Sequence, residues 1–438
     1  MGWIRGILSS TELGSRRQAV EAVRHIQLHA DKTSSISIVK AGRRTSKCGV
    51  GHKSLRPRIG DCAYQRVHHK TPGSHFHQRE DDMEGKRFVG IDLGKRTYVA
   101  CAISRGGSLE QWHGKTDGVG RDHLAVRLRC GDVVGVEAGS TAFHLARRMQ
   151  TVRGVRVVIL NPGKLAVIYA SMKKTDKEDA LKIARLLETM REEYLPIVPL
   201  PTEAEEDMRR LAGSQIFLKK ERTRLINRLH ALFMTAGITT VTKKDLARDE
   251  SRRSMLEMLF GVYEEVAGHL VEILAEVEQQ IAKLDQSIRN ALIDRREQAA
   301  LLMSIPGVGP VATATFLGYV GDGSRFETAS QVSYYAGLVP RLDISGETQR
   351  LGHITKSGNP AIRRAMIQAA WTAVRSPLGK PFREVFERIA ATRGRGIAIV
   401  AVGRRILELM YTLITHGEYY KYSSAAERQQ KLRRYKVA

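Results

Sequence analysis

The chain is 438 residues long, room for two or three domains, and 42% of it is hydrophobic, enough to give each domain a core. Lys and Arg number 71 against 46 Asp and Glu, a net charge of +25, so the molecule carries a field that draws polyanions, and nucleic acid is the first partner to expect. Four cysteines, Cys48, Cys62, Cys101 and Cys130, none in a CxxC pair, argue against a disulfide framework and suit a reducing, cytoplasmic setting; the apolar runs are short, 397–402 being among the longest, and neither a membrane span nor an export signal is expected.

Residues 1–82 hold 15 Lys and Arg against 7 Asp and Glu, half of the 14 histidines, and almost no sustained apolar periodicity. The stretch 1–84 is therefore expected to be a basic, disordered extension. Met83, just before a charged spacer and the first strand, is the expected natural start, with the preceding residues an upstream translation. Cys48, His52, Cys62 and His68 are of zinc-ligand type, but their spacing matches no compact finger and they are read as incidental.

From Phe88 the pattern is α/β. Phe88-Val-Gly-Ile-Asp92, residues 97–103, Asp132-Val-Val-Gly-Val-Glu137 and residues 155–160 read as strands, with a helix over 141–151 and helical sequence from Asn161-Pro-Gly163 through Leu187. Strands broken by helices imply a sheet that is at least partly parallel. Leu211, Leu218, Leu225 and Leu232 then recur every seven residues, and Leu270, Leu274, Val277, Ile281, Leu284, Ile288 and Ala291 step by fours and threes, a heptad seam. Glycine and threonine at 237–242 break the two stretches, so an antiparallel hairpin within one chain and a coiled coil between chains both fit; dimerisation is the preferred expectation.

After Ala300, Ser304-Ile-Pro-Gly-Val-Gly-Pro310 separates an apolar helix end from a second apolar segment. This is the pattern of a helix-hairpin-helix, whose glycines Gly307 and Gly309 let backbone amides approach a phosphate beside a helix N-terminus; an ordinary turn between helices is the bland alternative.

The chemistry is expected in the carboxylates. Asp92 and Glu137 end apolar strands, where a charge is unexpected unless it faces a ligand or cleft. Asp176 and Asp179, in Lys174-Thr-Asp-Lys-Glu-Asp-Ala180, share one face of a helix's first turn, although Thr175 and Glu178 also form a capping-box pattern. Four converging acids raise one another's pKa values, a conflict that Mg²⁺ or Mn²⁺ resolves through oxygen-only ligands. A pair of such ions can hold the attacking and leaving oxygens of a phosphodiester. With the basic balance, this points to cutting or joining DNA.

Gly90-Ile-Asp-Leu-Gly94, Val136-Glu-Ala-Gly139, Lys174-Thr-Asp-Lys-Glu-Asp-Ala180, Ser304-Ile-Pro-Gly-Val-Gly309, Tyr335-Ala-Gly-Leu-Val-Pro-Arg341 and Ser345-Gly346 occur in this order. The set resembles the DEDD-type insertion-sequence transposases of the one-ten family, the bridge-RNA-guided recombinases, over roughly residues 86–415. The resemblance implies a RuvC-type, RNase H-like α/β domain over 85–200, coiled-coil helices over 201–298, a mainly α-helical C-terminal transposase domain with the helix-hairpin-helix-like motif over 299–390, and a helical basic tail over 391–438. It carries the metal-binding acids onto Asp92, Glu137, Asp176 and Asp179, and the nucleophile onto Ser345, which would link covalently to a DNA 5′-phosphate in a site composed from two subunits. Partners implied are DNA at element ends and target, a structured guide RNA and further copies of the chain, in a prokaryotic, nucleoid-associated setting.

Taken alone, Asp343-Ile-Ser-Gly-Glu347 reads as a turn. Arg341, Arg350, Lys356, Arg363 and Arg364 supply positive charge around Ser345 and are expected phosphate ligands, with Arg404, Arg405, Lys431, Arg433, Arg434 and Lys436 basic toward the C-terminus. Tyr334 and Tyr335 are nucleophiles by type but read as core. A sugar-kinase-like ATPase lacks a second glycine-rich loop, and a non-catalytic binder leaves the strand-end acids unexplained. A metal-dependent junction endonuclease that forms no protein–DNA adduct is the nearest competitor.

Overall fold

The computed structural model describes residues 86–104, 107–168, 175–345 and 348–437, with backbone alone at 166–168, 342–345 and 348–351. The 1–84 extension, Met83 and the Cys48, His52, Cys62 and His68 set lie outside the described residues.

Strands β1 (Arg87–Leu93), β2 (Thr97–Ser104) and β3 (Leu109–Lys115) form an antiparallel meander. Helix α1 (Gly118–Arg127), capped by the Asp117 carboxylate, leads to β4 (Val133–Glu137). Helix α2 (Ala142–Gln150) crosses over to β5 (Arg156–Leu160), and β4 pairs in parallel with both β1 and β5. The sheet order is β3-β2-β1-β4-β5. Four strands fall where their apolar runs place them. The third, Leu-Glu-Gln-Trp-His-Gly-Lys, escapes that pattern because it is an edge strand with Trp112 as its buried residue.

Alternation along the strands dresses both faces of the sheet. Val89, Ile91, Val134, Val136 and Ile159 pack with Leu124 of α1 and Leu145 and Met149 of α2. Phe88, Val158 and Leu160 face the other way, onto Leu165 of α3 (Pro162–Ile168) and Ile183, Leu186 and Leu187 of α4 (Asp176–Thr189). Buried Arg87 ties the sheet to α1: it forms two hydrogen bonds with the Asp132 carboxylate, at 3.0 and 2.7 Å, and donates to the Arg127 carbonyl. Asp132 holds the guanidinium above its already high ordinary pKa.

A short 3₁₀ turn (Glu192–Tyr194) leads to α5 (Glu203–Thr235), which starts in a Thr202–Glu205 capping box. After α6 (Lys243–Leu246) and α7 (Asp249–Leu256), α8 (Val262–Ile293) returns along α5, so within this chain the two long helices form an antiparallel hairpin. The α8 seam is the expected one, with Leu274, Ile281 and Ile288 buried. On α5 the seam is displaced by one position: Ala212, Ile226, Leu229 and Phe233 are buried, while Leu211, Leu218, Leu225 and Leu232 flank it half-buried. The middle of the hairpin is polar. Gln215 donates to Asp285 at 2.8 Å, and Glu278 receives both Arg222 and the fully buried Arg252.

The base of the hairpin enters the C-terminal core. Met208, Ile288 and Leu292 pack with α9 (Arg296–Met303), α10 (Pro310–Val320), α11 (Ala329–Tyr335) and, beyond the hairpin β6 (Pro340–Ser345) and β7 (Thr348–Ile354), with α12 (Pro360–Ala373). Helices α13 (Lys380–Arg393), α14 (Arg395–His416) and α15 (Ala425–Tyr435) complete the chain. The expected basic tail is thus partly core: α14 buries Val402, Ile406, Leu407 and Met410 against α12. Tyr334, expected in the core, is 57% exposed. Tyr335 is half-buried beside Phe326, with the Arg325 guanidinium 4.7 Å from its ring centre.

Candidate active site and nucleic-acid interface

Two glycines bring the acidic helix onto the sheet. A methyl group on Gly90 would stand 2.0 Å from the Ala180 carbonyl oxygen, and one on Gly135 would stand 2.8 Å from the Ile183 side chain, so α4 lies directly on β1 and β4 at these positions. Asp92 and Glu137 are each two residues further along and therefore on the same face. They are also neighbours across the ladder, one step beyond the parallel pair Ile91 and Val136, about one strand spacing apart, ~4.8 Å. Both are half-buried at the carboxyl ends of their strands. Because Phe88 packs toward Leu186 and Leu187 and Gly90 toward Ala180, α4 runs opposite to β1 and its N-terminus lies toward Asp92.

That N-terminus carries the other two acids. The Thr175 hydroxyl caps α4 by accepting from the Glu178 amide at 3.3 Å, which sets Asp176 and Asp179 in the first turn, where the helix dipole favours negative charge. Asp176 is exposed; Asp179 is half-buried and accepts from Lys182 Nζ at 2.9 Å. The four expected acids are thus directed to one end of the sheet.

An all-oxygen donor set of this kind suits Mg²⁺ or Mn²⁺. Among the described residues, however, no three His, Cys, Asp or Glu side chains are gathered tightly enough to hold a metal ion. The acids share an edge without forming a closed cage, and holding a cation between the strands and the helix requires them to draw closer.

Ser345 is the last residue of β6, paired with Thr348 across a two-residue connection; Gly346 lies outside the described residues. Asp343–Ser345, within the stretch read as a turn, is strand, and Asp343 pairs with Arg350 in its ladder. Among the described residues the hairpin has no extensive packing against the N-terminal sheet, so the serine and the acids occupy separate parts of the chain.

The expected phosphate ligands divide. Gly307, at φ +83°, packs against α12, where a Cβ would stand 2.2 Å from the Ala369 carbonyl oxygen; close helix packing requires glycine there, and the residue also lines the cleft that Gly309 faces. Gly309 caps α10 and faces an open cleft. Arg363 donates to the Ala336 and Gly358 carbonyls, bracing the turn that leads into α12, and burial lowers its pKa. Arg341 and Arg364 are exposed. Lys356, in the left-handed region at φ +54°, lines a cleft of about 270 Å³ with Arg363 and Arg364. Of the C-terminal cations, Arg404 pairs with Glu408 at 2.8 Å, and Lys431 is turned inward. Its Nζ donates to the Ile305 carbonyl at 2.8 Å, and desolvation brings its pKa down to about 8.

The larger cleft, about 780 Å³, opens between the α5–α8 hairpin and the C-terminal helices. Lys219, Lys220, Arg224 and Arg289 line it with Arg364. None of these first four stood out in the sequence. Their spacing places the α5 cations along one side of that helix, but α8 and α12, the facing walls, are known only once the chain is folded.

Residues 89–237 match a family model of DEDD-type transposases, described as Transposase, and residues 299–386 match the model of the Transposase IS116/IS110/IS902 family. The chain is 26% identical over 375 residues to the transposase for insertion sequence element IS1111A of Coxiella burnetii, covering 84% of this chain and 99% of that protein. A probable family 20 transposase of Pseudomonas aeruginosa is 23% identical, over 76% of this chain and 98% of its own length. The pilin gene-inverting protein of Moraxella bovis is 25% identical, over 75% and 96%.

Proposed function

We propose, from the premise that the chain belongs to the IS116/IS110/IS902 transposase family, that it cuts and rejoins DNA at element ends and target through the acidic sheet edge and Ser345. The N-terminal domain is assigned to the RNase H-like, RuvC-type class; a mixed five-stranded sheet with acids on two adjacent central strands supports this. The observation that carries the reading is the arrangement of Asp92 and Glu137, side by side at the carboxyl ends of parallel strands and on the face covered by the acid-bearing start of α4.

In this reading Asp92, Glu137, Asp176 and Asp179, drawn together, would hold a divalent cation, Mg²⁺ or Mn²⁺, beside the scissile phosphate. When bound, the cation supplies neutralisation of charge on the phosphoryl oxygens. Ser345 Oγ gives up its proton and forms a bond to phosphorus, the bond from phosphorus to the 3′ oxygen breaks, and that oxygen leaves as a 3′-hydroxyl after taking up a proton. Attack by a second strand's 3′-hydroxyl on the 5′-phosphoserine reverses these steps and joins the new partner. Arg341, Arg350, Lys356, Arg364 and the Gly309 end of α10 hold flanking phosphates, and a structured RNA selects the strands.

The separation of the β6–β7 hairpin from the sheet within one chain favours a site composed from two subunits. The same separation keeps open a hydrolytic resolvase that uses the acids alone. Asp92→Asn and Glu137→Gln are expected to abolish strand exchange on element-end DNA while leaving DNA binding within about twofold, since each removes one charge from the edge alone. Full exchange activity in either variant overturns the assignment.

A further inference from the structure

No residue of the acidic edge or of the β6–β7 hairpin lines the 780 Å³ cleft between the α5–α8 hairpin and the C-terminal helices, which shares with the proposed site only Arg364 and Gly309. Five cations line it; Arg224 is paired with Glu221 at 2.5 Å, and the one carboxylate among its lining residues, Asp285, accepts from Gln215 at 2.8 Å. Like charges gathered along one cleft raise the local concentration of anions. The wall formed by Gly309 and Ala312 has little side chain, so a backbone can approach closely. Tyr435 presents a half-buried ring at the same wall.

We propose that this cleft seats a single-stranded polynucleotide, with Lys219, Lys220, Arg224, Arg289 and Arg364 on its phosphates and the Tyr435 ring against a base. A positive groove with an aromatic platform is the chemistry of single-strand recognition, and a volume within the small-molecule range, about 300–1,000 Å³, takes a few nucleotides of one strand and not the body of a duplex. Arg364 and Gln368 also line the smaller cleft beside Lys356, so a strand leaving the seat passes along α12 toward the base of the Ser345 hairpin. That last step rests on the proposed role of Ser345; the seat itself does not.

The test is fluorescence anisotropy on the full chain, with EDTA present so that binding is read without cleavage. The probes are a labelled 20-mer as single-stranded DNA, the same sequence as RNA, and the blunt DNA duplex. Removing two cleft charges (Lys219→Ala with Lys220→Ala) is expected to weaken single-strand binding about tenfold and to flatten the log K against log salt slope by about 1.4. Removing two charges on α13 (Arg388→Ala with Arg393→Ala) is expected to leave affinity within about twofold. Exposed Gln368 gives a pair of opposite sign, Gln368→Glu weakening and Gln368→Lys tightening, and Tyr435→Ala is expected to cost about tenfold. A loss confined to RNA or to single-stranded DNA supports the seat and names its source. Equal losses from the two double variants, a Gln368 pair without opposite signs, or a duplex that suffers the same loss as the single strand overturns it.

Discussion

Replacing Gly90 by alanine drives a methyl group to 2.0 Å from the Ala180 carbonyl oxygen, so α4 must lift from the sheet. The expected cost is about 2–3 kcal/mol, read as a lowered denaturation midpoint, together with lost strand exchange because the acids on α4 move with the helix; unchanged values for both mean that the helix does not set the site. Arg87→Met tests a different residue-level claim. It leaves Asp132, 1% exposed, without its guanidinium, and breaking a buried pair costs about 3–5 kcal/mol; a loss below ~1 kcal/mol in chemical denaturation contradicts the description of that pair. At this scale Asp92 and Glu137 stand out in the sequence because a carboxylate ending an apolar run conflicts with burial, whereas Asp176 and Asp179 stand out only by sharing one face of a helix's first turn. Gly307 and Arg363 were legible as special, but the packing of Gly307 on α12 and the hydrogen bonds of Arg363 to backbone carbonyls were not, since glycine for a phosphate and glycine for a helix contact look alike in sequence, as do a guanidinium for phosphates and one for carbonyls.

Helix α15 shows what a basic segment becomes when an element docks. Lys431, with a pKa of about 8 against the ordinary 10.5, binds fewer protons folded than unfolded between those values, so stability rises as pH climbs from about 8 to 10.5 and the benefit is lost as pH falls through 8. Wild type is expected to gain up to ~3 kcal/mol across that window relative to Lys431→Met, measured by denaturant unfolding at each pH. Parallel curves for the two proteins indicate that Lys431 is solvated. The hairpin teaches a related point. The α8 seam was readable because its fours and threes are filled by apolar residues, whereas on α5 the polar Gln215 and Arg222 take interior positions opposite Asp285 and Glu278. The regular leucines lie beside them on the flank of the seam. Strand β3 and the β6–β7 hairpin were missed because neither carries a sustained apolar alternation.

Across the whole molecule, the sheet edge and the serine hairpin are built on different cores, the first on the strands of the N-terminal domain, the second on the helical C-terminal domain that the α5–α8 hairpin enters. A mixed α/β sheet followed by a mainly helical part was legible from the alternation of strand and helix patterns, while the cleft and the separation of the acids from the serine depend on how the long helices return and could not be read along the chain. Joining acids and serine across two subunits is expected to make strand exchange recover when an Asp92→Asn chain is mixed with a Ser345→Ala chain, each inactive alone; no recovery in mixed assemblies contradicts a shared site. The most direct measurement of the central claim is a denaturing gel of the purified chain incubated with labelled element-end DNA, Mg²⁺ and its co-purified RNA. Wild type is expected to give a protein–DNA band that survives denaturant and disappears in both Ser345→Ala and Asp92→Asn; cleaved DNA with no such band, or a band that persists without Ser345, contradicts the account.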